Sequence, residues 1–477
     1  MRRREQMGWV TATVISLAAF SFFAGLGVRA VVQRLIPPAG GGDEPLSYPR
    51  VASAVPGVGA ETDLRPTTLF LDVLRKLQLY YVEPLPPPTE LAYGSVQAML
   101  HALGDPNTRL LSPDELAALQ NAAQGEYSGI GAVLTIRSGS PGTINEMPGA
   151  RPRTITVVSA PPGTPAQKAG LQSGDRITEI DGRWIAPVHL SFRDLTQLTD
   201  DLGPQDGPPL PPGASAPLPE SAPNERDPAR RDPDARRRRL EQATDLPGAL
   251  RVLLGKQTGR HELTIQRGAP ARTFRMPVEF GPTRVDVCNT RLLDGGVGYV
   301  QILAFHAGIA PQVREALLKF QQAKTDVLVV DLRSCPGGEL EAAVETAALF
   351  LGATKFAVLR ERDENRRLIL RPVFTRGPAV MPMPRDVKVL IDQGTAGSAE
   401  LFAAAFQEHL GARLIGASTF GDGTEQDIIR LENGAGISIT RAQMLTSRGQ
   451  AFDGRGLKPD VSTTGDALAA ALQGGGS

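Results

Sequence analysis

The apolar and polar positions between residues 283 and 465 predict strands and helices in alternation. Continuous apolar runs are typical of strands buried in a parallel sheet, and apolar positions with a period near 3.6 indicate helices. The pattern therefore predicts an α/β layered core, with strands at 296–302, 325–333, 386–392 and 412–418 and helices at 311–323, 339–351 and 398–411.

Two loops of this core follow directly after predicted strands. They are 333–339, with the sequence RSCPGGE, and 393–400, with the sequence QGTAGSAE. Ligands of open α/β sheets bind beyond the carboxyl ends of the strands. We therefore expect the functional site at these two loops.

The segment before this core predicts two further regions. Residues 65–124 show the helical period and predict a small helical subdomain. Within it, Ser112, Pro113 and Glu115 have the spacing of a capping box, which predicts a helix that begins at Pro113. Residues 125–280 contain short strand-like runs and predict a β domain.

Residues 201–240 interrupt the predicted β domain with ten prolines, seven arginines and no aromatic residue. Such a segment buries too little apolar surface to offset its chain entropy, which predicts a disordered insert. The run Arg236–Arg239 has two interpretations: contact with anionic lipid headgroups, or a solvated charge run. A flexible tail is predicted at 466–477.

The N-terminus carries three arginines, Arg2–Arg4, followed by 22 uncharged residues from Met7 to Val28. This run is long enough to cross a bilayer as a helix, and the arginines favour the cytoplasmic side. We expect a single-pass anchor at 1–30 in a bacterial-type inner membrane and a linker at 31–64, with the bulk of the chain outside the cytoplasm. The alternative is a cleaved signal peptide and secretion, for which Val28–Ala30 is a poor cleavage site.

Composition excludes several classes of function. The 51 basic and 51 acidic residues balance, whereas a general nucleic-acid binder needs a basic excess. Two cysteines, Cys288 and Cys335, are too few for a disulfide scaffold or a four-cysteine zinc module. The five histidines lack HExxH spacing, and we expect neither a metal nor a cofactor.

Six motifs in one order resemble the C-terminal processing (tail-specific) serine peptidases, whose fold contains an embedded PDZ domain. They are LGDPNTRLLSPDE, YSGIG, AQKAGLQSGDRITEIDG, DLRSCPGGEL, ASTFGDGTEQ and GRGLKPDV. The resemblance covers residues 65–465. It implies an α+β multidomain chain with a PDZ-like domain at 125–280 and, at 281–465, a peptidase-like α/β core whose sheet is of the crotonase type.

The chemistry of that family needs a serine nucleophile and an unprotonated lysine, whose pKa must be lowered by burial. By resemblance, the serine position falls on Gly397 and the lysine position on Asp422, with the family's spacing of 25 residues kept. Gln426 matches the glutamine that orients the lysine. Loss of both catalytic groups should remove nearly all nucleophilic catalysis.

Three other residues have two interpretations each. Ser398, at a predicted helix start, is either a helix cap or a shifted nucleophile paired with Asp422. Cys335 is either a loop thiolate or a small buried residue. Lys458, the candidate lysine close to a matched motif, is either a base or a surface residue.

Two backbone sites are implied by the same resemblance. Gly337 and Gly338 either form the oxyanion hole or serve only as the turn into the next helix. In the PDZ-like domain, Gly129–Gly131 would offer N–H groups to a peptide carboxylate, with Ile130 and Val133 lining the pocket for its last side chain. The alternative is that these glycines serve only a hairpin.

Two functions follow from these expectations. The first is a membrane-anchored, catalytically degenerate relative of the tail-specific peptidases that binds protein C-termini. An active peptidase or another envelope protein is its expected partner, and nucleic acid is excluded. The second is an active serine endopeptidase that processes protein C-termini with Ser398 as its nucleophile.

Overall fold

A computed structural model of the chain describes residues 66–82, 84–138, 153–186, 242–268, 270–380, 382, 384–463 and 465–473. The predicted anchor at 1–30, the linker at 31–64 and the insert at 201–240 lie outside these residues. Within the described ranges, no helix has the length and apolar composition that a membrane crossing requires.

The described helices fall into two compact units, which meet in sequence between Leu85 and Pro86. The first unit contains α1, and the second contains α2 to α9. Their bounds are α1 Pro66–Tyr80, α2 Pro88–His101, α3 Pro113–Ala123, α4 Pro165–Ala169, α5 Leu246–Leu254, α6 Ile309–Gln322, α7 Leu340–Leu351, α8 Ser398–Leu410 and α9 Ala467–Gln473.

The described strands all belong to the second unit. Their bounds are β1 Arg109–Leu111, β2 Glu126–Tyr127, β3 Val133–Ser138, β4 Arg153–Ser159, β5 Arg176–Ile180, β6 Arg183–Trp184, β7 Gly259–Arg267, β8 Arg272–Phe280, β9 Thr283–Arg284, β10 Cys288–Leu293, β11 Val297–Ile302, β12 Val327–Asp331, β13 Lys355–Arg362, β14 Leu368–Phe374, β15 Asp386–Ile391, β16 Arg413–Gly416, β17 Thr424–Arg430, β18 Gly436–Thr446 and β19 Val461–Ser462.

A six-stranded sheet forms the centre of the α/β core, in the order β10-β11-β12-β15-β16-β19. β10 runs antiparallel to β11, and the other pairs are parallel. Successive side chains of a strand face opposite sides, so Leu328 and Val330 pack in the large core with α6, α7 and α8, whereas Val329 faces a smaller core with α9. The four strands and three helices predicted here are confirmed.

The C-terminal helix α9 corrects the prediction of a flexible tail from residue 466. Ala467 and Ala471 are buried against the sheet, and the buried Lys388 of β15 donates from Nζ to the Ala471 carbonyl oxygen at 2.6 Å. The tail prediction did not identify 467–473 as a helix. It missed that a short alanine-rich helix can cover the exposed face of a sheet.

A second sheet of the core has the order β1-β18-β13-β14, with β17 also paired to β18. Its strand β1 lies inside the region predicted as purely helical and pairs with β18 from Arg109↔Ser438 to Leu111↔Gly436. The predicted capping box of that region is confirmed, because Glu115 N donates to Ser112 Oγ at 3.3 Å and Ser112 N donates to the Glu115 carboxylate at 2.8 Å.

The predicted β domain is an antiparallel sheet in the order β3-β4-β5-β7-β8, with β6 paired to β5. Helix α5 packs on it through Leu250 and Leu253, which join the sheet residues in one buried cluster. β3 lies at the end of the strand order. One of its edges is therefore unpaired within the described sheet.

Candidate active site

The two predicted loops meet at the carboxyl ends of the neighbouring parallel strands β12 and β15. The loop after β12 leads into α7, and the loop after β15 leads into α8. The Asp392 carboxylate joins them, since it accepts hydrogen bonds from Ser334 N at 2.9 Å and Gly394 N at 2.8 Å. Ala396 N also donates to the Cys335 carbonyl oxygen at 2.9 Å. The expectation that these loops form one site agrees with this geometry.

Gly337 and Gly338 have backbone conformations and surroundings that only glycine fits. Gly338 has φ +126°, and a Cβ there would lie 2.3 Å from the Phe305 carbonyl oxygen. A Cβ on Gly337 would lie 3.0 Å from Ser398 N and 3.1 Å from Ser398 Oγ. The predicted oxyanion loop therefore lies directly against the start of α8. It also turns the chain into α7, and the oxyanion role stays a prediction.

Ser398 is the first residue of α8 and not its cap. Gly397 occupies the N-cap position with φ +58° and ψ −126°. The Ser398 hydroxyl donates to the Gly338 carbonyl oxygen at 3.2 Å, and the residue is 2% exposed. The predicted capping role is therefore wrong, because the side chain bonds across the site to the oxyanion loop. The Gly338 carbonyl oxygen that accepts this hydrogen bond cannot take the proton from Ser398 as a general base would.

Two other candidates for the nucleophile and the base, Cys335 and Lys458, are not placed to react. Cys335 is fully buried in the large core, and burial raises the pKa of its thiol to about 12. It is the small buried residue of the two interpretations, because such a thiol stays protonated at neutral pH. Lys458 is exposed and does not line the cleft described below. It is a surface residue.

Asp422, at the position matched to the lysine, is held by a network around Thr424. The Thr424 hydroxyl donates to Asp422 Oδ1 at 2.9 Å and accepts from Gln426 Nε2 at 2.6 Å and from Asn107 Nδ2 at 2.9 Å. Burial raises the pKa of the Asp422 carboxyl. Gln426 therefore reaches Asp422 only through Thr424, and Ser398 and Asp422 are bonded to different partners.

Glu400 joins the start of α8 to the loop that carries Asp422. Its carboxylate accepts hydrogen bonds from the backbone N–H groups of Gly397 (3.0 Å), Gly421 (2.9 Å) and Asp422 (2.8 Å) and from the Thr419 hydroxyl. The residue is completely buried, and burial raises the pKa of its carboxyl to about 7. Glu400 therefore fixes the distance between the two substituted positions.

The β domain contacts the same site through Arg137 of β3. The guanidinium lies 3.8 Å from the centre of the Phe420 ring, and Nη2 donates to the Phe420 carbonyl oxygen at 3.0 Å. Ser159 of β4 donates from its hydroxyl to the Ser334 carbonyl oxygen at 2.7 Å. The β domain is thus packed against the loop after β12 and against the segment that carries Phe420 and Asp422.

The predicted carboxylate-binding loop is largely engaged within the β domain. Ile130 N donates to the Leu253 carbonyl oxygen at 3.0 Å, and Gly131 N donates to the Ser128 carbonyl oxygen at 3.2 Å. The Ile130 side chain is fully buried in the domain core, so the prediction that it lines an open pocket is wrong. Gly129 packs tightly, because a Cβ there would lie 2.0 Å from the Leu253 carbonyl oxygen.

A cleft of about 1780 Å³ brings the remaining candidates together. Its lining includes Val133, Leu134 and Thr135 of the edge strand β3, together with Gly338, Gly397, Ser398, Asp422 and Gln426. Residues of α6, α7 and β14 also line it. An extended peptide added to the free edge of β3 would therefore enter the space in front of the two substituted positions.

Comparisons with known proteins agree with this architecture. Residues 296–463 match peptidase family S41, and residues 156–199 match the PDZ domain. The chain is similar to the C-terminal processing peptidases in these two domains. The S41 match contains both loops of the site and every strand of the central sheet except β10, and the PDZ match falls within the β domain, whose strand β3 supplies Arg137.

Curated relatives extend the similarity over most of the chain. It is 28% identical over 371 residues to a carboxyl-terminal-processing protease of Synechocystis sp., covering 78% of this chain and 70% of that protein. It is 25% identical over 386 residues to the chloroplastic C-terminal processing peptidase of Tetradesmus obliquus, covering 80% and 70%. Among solved structures, the photosystem II D1 C-terminal processing protease matches with a TM-score of 0.55 and 22% identity, covering 84% and 89%, which supports the fold.

Three site residues were missed by sequence reasoning. Glu400 stands in the quoted TAGSAE segment, and a carboxylate two residues into a helix was a signal for bonds to free N–H groups. Thr424 lies between Asp422 and Gln426 in the quoted FGDGTEQ segment. Arg137 gave no signal, because its contact with Phe420 spans 283 positions of sequence.

Proposed function

We propose that this relative of the S41 peptidases binds protein C-termini without cleaving them. The observation that carries the proposal is the pair of substitutions in the cleft: Gly397 has no side chain, and Asp422 is bonded to Thr424. A lysine base and a serine nucleophile act as a unit, so their joint absence leaves no activated nucleophile. The neighbouring Ser398 hydroxyl is bonded to a carbonyl oxygen and has no base.

The proposed binding mode is strand addition at the free edge of β3. Val133, Leu134 and Thr135 on this edge line the cleft, so a bound chain gains main-chain hydrogen bonds and side-chain contacts together. The PDZ match supports recognition of a free carboxylate at the end of that strand. The partner is a protein with an accessible C-terminus, such as an active peptidase or another envelope protein.

The proposed location follows from the apolar run Met7–Val28 behind Arg2–Arg4. This run anchors the chain in a bacterial-type inner membrane and leaves the cleft on the extracytoplasmic side. The competing location is secretion after signal cleavage. The size of the mature chain in membrane and soluble fractions separates the two.

The first test measures peptide binding and proteolysis with the same preparation. We expect binding of peptides with a free carboxyl end, binding about tenfold weaker for the amidated peptides, and no digestion of an unfolded protein. Val133→Asp should weaken binding, whereas the matched change Leu292→Asp on the edge strand β10 should not. Equal binding of free and amidated peptides would refute the proposal that the chain recognises the terminal carboxylate.

The second test asks whether the cleft would support a reactive serine if the two substituted residues were restored. We expect no labelling of the parent chain by a fluorophosphonate, and labelling at residue 397 in the double variant Gly397→Ser with Asp422→Lys. A Cβ at 397 would meet nothing closer than the Pro336 carbonyl oxygen at 3.6 Å, so the cost of Gly397→Ser is the backbone strain of a side chain at φ +58°. Labelling of the parent that disappears in Ser398→Ala would instead establish the serine peptidase with a shifted nucleophile.

A further inference from the structure

The hairpin of β13 and β14 exposes an unusual amount of apolar surface. Leu368 is 54% exposed, Leu370 64% and Phe374 54%, all on β14. β14 is the last strand of its sheet, so no described strand covers its outer edge. Exposed apolar side chains in a continuous row mark interaction surfaces, whereas single ones need no explanation.

Strand register places this row on the face that points away from the core. Leu359 is fully buried and pairs with Arg371, so these two positions face inward. The alternate pairs Arg360↔Leu370 and Arg362↔Leu368 therefore lie on the opposite, outward face. We call this surface the hairpin face and define it by Arg360, Arg362, Leu368, Leu370 and Phe374, of which Phe374 also lines the cleft.

The hairpin face is also strongly basic. Residues 355–376 contain seven cationic and three acidic side chains, although the whole chain is neutral. One of the acids, Glu361, is paired with Arg371 at 2.5 Å. Among the described residues, Arg360, Arg362, Arg366 and Arg367 are exposed and make no ion pair, so their charge remains available to a ligand.

We propose that the hairpin face binds the surface of an anionic lipid membrane. A row of leucine and phenylalanine beside a row of arginine fits a bilayer interface, where apolar side chains enter the acyl boundary and cations meet phosphate groups. A second copy of this chain fits less well, because its own hairpin face carries the same unpaired arginines and offers them no anionic partner. The inference does not depend on the proposed N-terminal anchor.

The test uses a local probe, so that lipid contact elsewhere in the full chain does not mask the result. Leu368→Trp adds a tryptophan on the hairpin face away from the cleft, and Leu292→Trp adds one at a site of equal exposure, 54%, on β10. Each full-length variant is mixed with phosphatidylcholine vesicles with or without phosphatidylserine, containing a lipid-borne quencher. The parent chain, with its two native tryptophans, supplies the background signal.

We expect quenching of the tryptophan at 368 only with phosphatidylserine, and no added quenching at 292. Adding Arg360→Glu and Arg362→Glu should lower the apparent partitioning by more than about tenfold, since each interfacial cation contributes roughly a fivefold factor. Leu370→Trp repeats the measurement if Leu368→Trp fails to fold. Equal quenching at 292 and 368, quenching that survives the charge reversal, or a concentration-dependent emission shift without vesicles would overturn the proposal, the last in favour of self-association.

Discussion

Thr424 shows how much of the site depends on a single hydroxyl. It donates to Asp422 and accepts from Gln426 and Asn107, so all of its hydrogen-bonding capacity is used. An aspartate at the lysine position is thereby supplied with a donor. The substitution at 422 is accommodated by its neighbours and does not leave an unsatisfied buried charge.

Glu400 makes the stability of the site depend on pH. Burial raises the pKa of its carboxyl from 4.5 to about 7 in the folded chain, so the folded state binds more protons than the unfolded state between these values. Its unfavourable contribution is therefore absent below the unfolded pKa and complete above the folded pKa. Over that window it lowers the free energy of unfolding by about 3 kcal/mol as the pH rises.

Glu400→Gln should reduce this pH dependence. We expect the loss in free energy of unfolding between acid and mildly alkaline pH to become smaller by up to about 3 kcal/mol, measured by urea denaturation across the range. Glu425, whose pKa burial also raises to about 7, should keep its own contribution in the variant. The exposed Glu364→Gln serves as control, and an unchanged pH dependence in Glu400→Gln would contradict the assignment.

At the scale of elements, α9 depends on one buried lysine. Lys388 donates to the Ala471 carbonyl oxygen at 2.6 Å and pairs with Asp386 at 3.0 Å. α9 has only seven residues, too few for a helix that is stable without packing. Its order therefore comes from the contacts with the sheet and from this hydrogen bond.

Lys388→Met should loosen α9 while the central sheet stays folded. The Ala471 carbonyl loses its donor at a buried position, which costs about 1–3 kcal/mol. We expect faster amide exchange in 467–473 and unchanged exchange in the central strands β12 and β15. Lys355→Met, at an exposed lysine, is the control. Unaltered protection of α9 would show that apolar packing alone holds it.

The elements that were predicted correctly are those in which the order of apolar and polar residues follows which side chains are buried. β12 and β15 are buried on both faces and appear as continuous apolar runs. β14 was missed because its sequence LILRPVF contains a proline and an apolar row that faces outward, which hides the alternation of a half-buried strand. β1 was missed because three residues are too short for any period.

The sequence predicted which loops form the site, but only some of the side-chain contacts within it. The neighbouring strand ends placed Gly337 and Ser398 together, as the topology requires. The bond from Ser398 to Gly338 and the bridge from Gln426 through Thr424 depend on side-chain rotamers, which spacing does not specify. Burial of Ile130 depends on the packing of α5, which follows it by more than a hundred residues.

At the scale of the molecule, the PDZ domain and the S41 domain are in contact at the loop that carries Phe420 and Asp422. Arg137 contacts Phe420, whose neighbours Gly421 and Asp422 donate their N–H groups to Glu400. The guanidinium faces the charges of Asp422, Asp453 and Glu400. Movement of the PDZ domain would therefore displace Asp422, the position matched to the family's lysine.

Arg137→Ala should destabilise this loop locally. Loss of the ring contact and of one hydrogen bond removes about 1–2 kcal/mol, which corresponds to at least about fivefold faster amide exchange at 421 and 422. Arg284→Ala, which removes an exposed surface arginine of the same chain, should leave these amides unchanged. Equal exchange in both variants would show that the two domains touch without supporting each other.

The pairing of β1 with β18 has a practical consequence for protein production. A fragment trimmed to the segment that matches family S41 would begin after β1, and the backbone of β18 from Gly436 to Ser438 would keep β17 on one side but have no partner strand on the other. Asn107 would be removed with it. Such a fragment presents a bare strand to other molecules in solution and should precipitate, so expression boundaries must be set upstream of Asn107.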